Sequence, residues 1–142
     1  MSDHEFWNPL VPELLVRDFQ YSLSFYCDLL GFDIRYQRSA PSFAYLQRGC
    51  IQIMLQQLDN DGWQVGELQA PFGRGMNLQM EVDQLEPLLL ALEENGVSLF
   101  RQPQEIWYPT GNRASGQREF LVQDPDGYLL RFCQYLGERD QP

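Results

Sequence analysis

The chain has 142 residues, 44% hydrophobic and 21% charged, with 20 acidic against 10 basic side chains and a net charge of −10. That length suits one domain with a real core, and the acidic excess excludes general nucleic-acid binding, which rests on Lys and Arg neutralising phosphates. No apolar run approaches the roughly 18 residues of a membrane span, and Met1-Ser2-Asp3-His4-Glu5 lacks the basic start of a signal peptide, so a cytoplasmic protein with no membrane partner is expected.

Residues 10–17 read as a strand. Asp18 stands where an N-cap belongs, and Phe19, Leu23, Tyr26 and Leu30 recur at helical spacing until Gly31 ends the helix. Strands are expected at 32–36, 43–46 and 51–55, the last alternating Ile51, Ile53 and Leu55 with Gln52 and Met54. The turn-rich stretch 58–75, with Asp59-Asn60-Asp61-Gly62, Pro71, Gly73 and Gly75, reads as a linker or lid. Its two aspartates are solvated turn residues or contacts for a cationic ligand.

The same order of elements then returns. Residues 76–82 form a strand, Asp83 with Glu86 makes a capping-box pattern, and Leu85, Leu88, Leu89 and Leu92 supply an apolar helix face. Pro87 falls in the first turn, where proline costs least, and Asn95-Gly96 stops the helix. Strands follow at 97–101, 118–123 and 128–134, and residues 102–117 read as a second loop able to act as a lid. Asp124-Pro125-Asp126-Gly127 is turn chemistry.

The result is an α+β chain of two βαβββ modules, about 10–57 and 76–134, treated as one domain over 1–142. Val16-Arg17-Asp18-Phe19…Leu30-Gly31-Phe32 parallels Val82-Asp83-Gln84-Leu85…Asn95-Gly96-Val97, which supports duplication. Two such modules imply two curved sheets around a cleft. Cys27, Cys50 and Cys133 are widely spaced and fit reduced thiols; the one histidine, His4, lies in a terminal tail.

With Arg17-Asp18-Phe19, Phe25-Tyr26, Leu30-Gly31-Phe32, Leu46-Gln47-Arg48-Gly49, Gly116-Gln117-Arg118-Glu119-Phe120 and Asp124-Pro125-Asp126-Gly127 in this order, the chain resembles the vicinal oxygen chelate superfamily. This superfamily includes glyoxalase I, extradiol dioxygenases, fosfomycin-resistance enzymes and bleomycin-resistance proteins. The resemblance covers about residues 10–135 and is nearest the bleomycin-resistance branch.

It implies metal-ligand positions on the first and last strand of each module, here Val11, Met54, Asn77 and Arg131. None but Asn77 has a usable donor, and Asn77 alone is a poor one. A slip of two residues keeps the sheet face and offers Glu13, Gln52, Gln79 and Phe132, still without histidine. No cofactor and no metal are therefore expected.

What remains by resemblance is a homodimeric binding protein that sequesters a bulky cationic or aromatic ligand, such as a bleomycin-type antibiotic, and confers resistance without chemistry. The alternative is a metal-dependent lyase, isomerase or dioxygenase of the glyoxalase type. The expected ligand-binding residues are Tyr36, Phe43, Tyr45, Met54, Trp63, Asn77, Trp107 and Arg131, with Phe72 and Tyr108 also in the lid stretches. For each aromatic the alternative is plain core or loop packing. Arg118 and Glu119 read as a structural pair. Where the branch places a tryptophan before Gly-x-Arg-Glu-Phe this chain has Ser115, for which Trp107 is the candidate substitute, and Pro12 matches a hinge at which the first strand is exchanged between partners.

Overall fold

The computed structural model of the chain describes residues 5–141, so His4 lies outside the described residues. The chain divides into two compact units, Met1–Gly66 and Glu67–Pro142. Each holds a four-stranded mixed sheet and one α-helix, with a short π-helical turn in the first.

In the first unit β1 (Glu13–Val16), β2 (Asp33–Arg38), β3 (Phe43–Arg48) and β4 (Ile51–Gln57) take the spatial order β1-β4-β3-β2. β1 runs parallel to β4 of its own chain and the other pairs are antiparallel. The crossover from β1 to β2 is α1 (Phe19–Ser24), which widens into the π-helical turn Phe25–Leu29. Asp18 caps α1 as expected, accepting a bond from the Tyr21 N–H at 3.1 Å. Gly31 ends the segment at φ +79°, a backbone that glycine adopts without steric cost.

Strand alternation decides which side chains meet that helix. Leu14, Val16, Ala44, Leu46, Ile53 and Leu55 are all buried, and with Phe19, Leu23 and Tyr26 they form the core of the unit. Glu13, Tyr45, Met54 and Gln52 project from the opposite face.

The second unit repeats the plan. β5 (Leu78–Glu81), α2 (Glu86–Glu94), β6 (Arg101–Pro109), β7 (Arg113–Gln123) and β8 (Leu129–Asp140) give the order β5-β8-β7-β6, again with one parallel pair. Met80, Phe120, Val122, Leu130 and Phe132 are buried on the face that carries Leu85, Leu88 and Leu92.

Four expectations change. Residues 97–100 are not a strand, which begins only at Arg101, and 102–117 is not a lid: β6 and β7 form a long hairpin joined at 110–112. Pro103 and Pro109 mask β6 in the sequence, yet both sit in a strand at the sheet edge, where a missing N–H is tolerated. The Asp83–Glu86 capping box does not form. The helix starts at Glu86 after Leu85, whose N–H donates to Gln134 Oε1 on β8 at 3.2 Å, so a distant strand supplies an acceptor at the helix start. Lastly, Phe72 is 4% exposed and its N–H donates to Asp126 O at 2.9 Å, which fastens the end of the 58–75 stretch to the 124–127 turn.

That turn is structural, as its residues suggest. Asp124 Oδ1 accepts the N–H groups of Asp126 and Tyr128 at 2.9 and 3.0 Å. Gly127 has φ +100°, and a Cβ there would lie 2.4 Å from Pro71 Cβ.

The Asp18 cap is the one helix-starting contact that the sequence alone locates. Asp18→Ala should lower the unfolding free energy by about 1 kcal/mol, read as a reduced denaturant midpoint with an unchanged slope.

Candidate functional site

In each unit the helix closes one sheet face, and the chemistry stands on the other. On the first sheet the register sets Tyr36 beside Tyr45, Tyr45 beside Met54 and Met54 beside Glu13, a row across all four strands. A second row runs Arg38, Phe43, Gln56. The expected Tyr36, Phe43, Tyr45 and Met54 are thus brought together on one face.

The rings touch. Tyr36 stacks on Tyr45 with centroids 5.5 Å apart and lies 5.8 Å from Phe43. Trp7, absent from the expected set, completes the cluster edge-on, 4.9 Å from Tyr45 and 6.0 Å from Tyr36. Phe43 and Tyr45 are 1% and 5% exposed, whereas Tyr36 and Trp7 are 38% and 53% exposed. The first two form the floor and the second two the accessible surface. Burial pushes the Tyr45 phenol above its ordinary pKa, with Arg35 opposing that shift.

Trp7 is held by a polar knot around Gln52. Gln52 Oε1 accepts from the Asn8 N–H at 2.8 Å and from Tyr45 Oη at 2.5 Å, and its Nε2 donates to Phe6 O at 2.9 Å. Arg35 Nη1 donates to the same Phe6 carbonyl and to Gln47 Oε1, and its guanidinium lies 3.7 Å from the Trp7 ring centroid. A register shift between Ile34 and Tyr36 is what aims Arg35 at this face. Nothing in the sequence periodicity marks Trp7, because residues 5–10 belong to no helix or strand.

The corresponding face of the second sheet is polar. Glu119, 6% exposed, accepts from Tyr108 Oη at 2.9 Å and from Gln117 Nε2 at 2.7 Å, and its Oε2 lies 3.6 Å from Arg131 Nε. Arg131 also donates through Nη2 to Gln79 Oε1, its register neighbour on β5. Burial and the Glu119 bond raise the Tyr108 pKa, and burial pushes the Cys133 thiol beside Glu119 up to about 11.

Arg118 and Glu119 are therefore not a pair: neighbours on a strand point to opposite faces, and Arg118 bridges to Glu86 of α2 at 2.5 Å. Trp107 also faces away from Arg131. It covers Gly116, where a Cβ would meet the indole at 2.6 Å, and lies under Arg139 at 4.1 Å. The aromatic next to Ser115 is Tyr108 rather than Trp107. Trp63 is 92% exposed, and Asn77 is an exposed residue just before β5.

The parallel registers place Glu13 beside Met54 and Gln79 beside Arg131, two residues along from Val11 and Asn77. At the fourth implied ligand position a guanidinium already balances Glu119. Among the described residues no three His, Cys, Asp or Glu side chains gather in a set able to hold a metal ion. These donors do not fit a divalent metal, which needs anionic or neutral lone-pair groups converging on one point.

Residues 9–132 match the family model described as the Glyoxalase/Bleomycin resistance protein/Dioxygenase superfamily. The chain belongs to that superfamily. Over 139 residues it is 27% identical to the bleomycin resistance proteins of Geobacillus stearothermophilus and Staphylococcus aureus, covering 89% of this chain and 96% of theirs. Its fold is shared with an integron cassette protein from the mobile metagenome of V. cholerae (TM-score 0.67, 22% identity, 94% of this chain and 98% of that one). It is shared as well with the fosfomycin resistance protein FosX of Listeria monocytogenes (TM-score 0.61, 13% identity, 93% and 94%). No helix among the described residues is long and apolar enough to cross a membrane.

Removing the Glu119 carboxylate leaves Tyr108, Gln117 and Arg131 without a shared acceptor. Glu119→Ala should cost about 2–3 kcal/mol in denaturant unfolding, and Arg131→Met in that background should recover part of the loss by removing the stranded charge.

Proposed function

We propose that this chain is a metal-free binding protein of the bleomycin-resistance type, which sequesters a bulky, flat-ringed small molecule without reacting with it. A glycopeptide antibiotic of the bleomycin kind is the leading case. The observation that carries the reading is the aromatic face of the first sheet, with Tyr36 and Trp7 accessible above the floor of Phe43 and Tyr45. Such a surface holds a planar ring by stacking, worth about 0.5–1.5 kcal/mol per ring pair beyond the buried area.

Two further points support it. The relatives matched over most of their length are named bleomycin resistance proteins. On the second sheet, Arg131 brings a cation to a position where the enzyme alternative needs a ligand, and its links to Glu119 and Gln79 hold it there. Met54 lies in the row with Tyr45 and supplies an adaptable apolar contact. Trp107, turned to the other face, is left out of the proposed contacts. A homodimer in the cytoplasm completes the proposal, on the strength of the resemblance.

Calorimetric titration with metal-free and copper-loaded bleomycin tests it. Binding of either form is expected, with Tyr36→Ala weakening it at least about fivefold through the lost stack. Absence of heat from both forms, together with near-stoichiometric Mn, Fe, Ni or Zn in protein purified without chelators, would sink the proposal in favour of the metal-dependent lyase, isomerase or dioxygenase.

A further inference from the structure

The aromatic face of the first unit carries its own cations. Arg35 covers Trp7, and at the other end Arg38 lies 4.0 Å from the Phe43 ring centroid and 5.8 Å from that of Tyr36. The two arginines differ in what they have left to give. Arg35 donates to Phe6 O and Gln47 Oε1 and sits 3.7 Å from a Glu5 carboxylate oxygen. Arg38 is exposed, and among the described residues its contacts are the two rings. A guanidinium attracted to a ring face uses none of its five N–H donors in that contact. Arg38 is therefore a cation held in place by Phe43, its cross-strand partner, with no hydrogen bond from its guanidinium to any of the described residues.

A cationic ligand ring on this face would meet a charge of its own sign at the place where it would stack. A flat ring bearing a carboxylate meets the opposite: the ring packs on Tyr36 and Trp7, and the carboxylate presents two acceptors to a fork of matching geometry. We propose that the first unit's aromatic face selects an aromatic carboxylate, with Arg38 as the residue that sets this preference. The inference rests on the binding role proposed above and departs from its leading case, putting an anionic flat-ringed ligand in place of a cationic glycopeptide. It reverses the sign suggested by the net charge of −10, because the chain-wide field acts at long range and is screened over about 8 Å, whereas Arg38 acts at contact.

Three probes of one shape isolate the charge: 2-naphthoate, 2-naphthamide and 2-naphthyltrimethylammonium, titrated calorimetrically into the full chain at low and at physiological salt. Naphthoate should bind about tenfold more tightly than the amide, as expected for one charge-assisted bidentate contact, and the ammonium most weakly. Arg38→Gln should bring naphthoate to within twofold of the amide. Arg38→Lys, which keeps the charge without the fork, should retain an intermediate preference. Equal binding of all three probes, tighter binding of the ammonium, or a preference that survives Arg38→Gln would overturn the carboxylate assignment and leave the binding face standing. No heat from any probe would overturn both the assignment and the binding face.

Discussion

Everything that distinguishes the two units follows from the pleat of their sheets. Because side chains alternate across a strand, one helix packed on one face fixes the whole opposite set at once. In the first unit, burying Leu14, Val16, Leu46, Ile53 and Leu55 against α1 obliges Glu13, Tyr45, Gln52 and Met54 to stand together on the other side. In the second, the same constraint, with Phe120 and Phe132 under α2, delivers Glu119, Arg131 and Gln79 to one place. The candidate site faces are the complement of the cores.

The two faces have diverged in chemistry while keeping one plan. One offers rings with arginines laid on them, and its polar groups, gathered around Gln52, serve to hold Trp7. The other is an almost self-satisfied polar cluster in which Glu119 has three partners. A buried carboxylate with a committed cation is poorly placed for acid–base work and well placed to stiffen a sheet. The proposed binding role accordingly falls to the first face and structural support to the second.

Local patterns in the sequence locate much of this. Asp18 and Gly31 bracket the first helix because capping depends on neighbours along the chain. Tyr36, Phe43, Tyr45 and Met54 share a face because a period of two is readable once strands are placed. What depends on distant partners was not legible. Gln134 supplies an acceptor at the start of α2, and β7 gives β6 a sheet to join despite Pro103 and Pro109. The pairing of Arg118 with Glu86 rather than Glu119 needs the helix in place before it can be seen. Trp7 shows no periodicity, and only the folded Gln52 knot reveals its position.

Ligand recognition is proposed to belong to the aromatic face of the first sheet, centred on Tyr36, Trp7 and Arg38. The competing location is the groove of about 600 Å³ along α2, lined by Leu89, Leu92, Val97, Leu99 and Pro103, which is large enough for a small molecule but turned to the helix side. Heteronuclear NMR of the labelled chain during titration with 2-naphthoate separates the two. Recognition at the aromatic face should give saturable shifts of the Trp7 indole N–H, the Arg38 Nε–H and the Tyr36 ring, with the α2 amides unmoved. Shifts confined to Leu89, Leu92 and Val97 would contradict it.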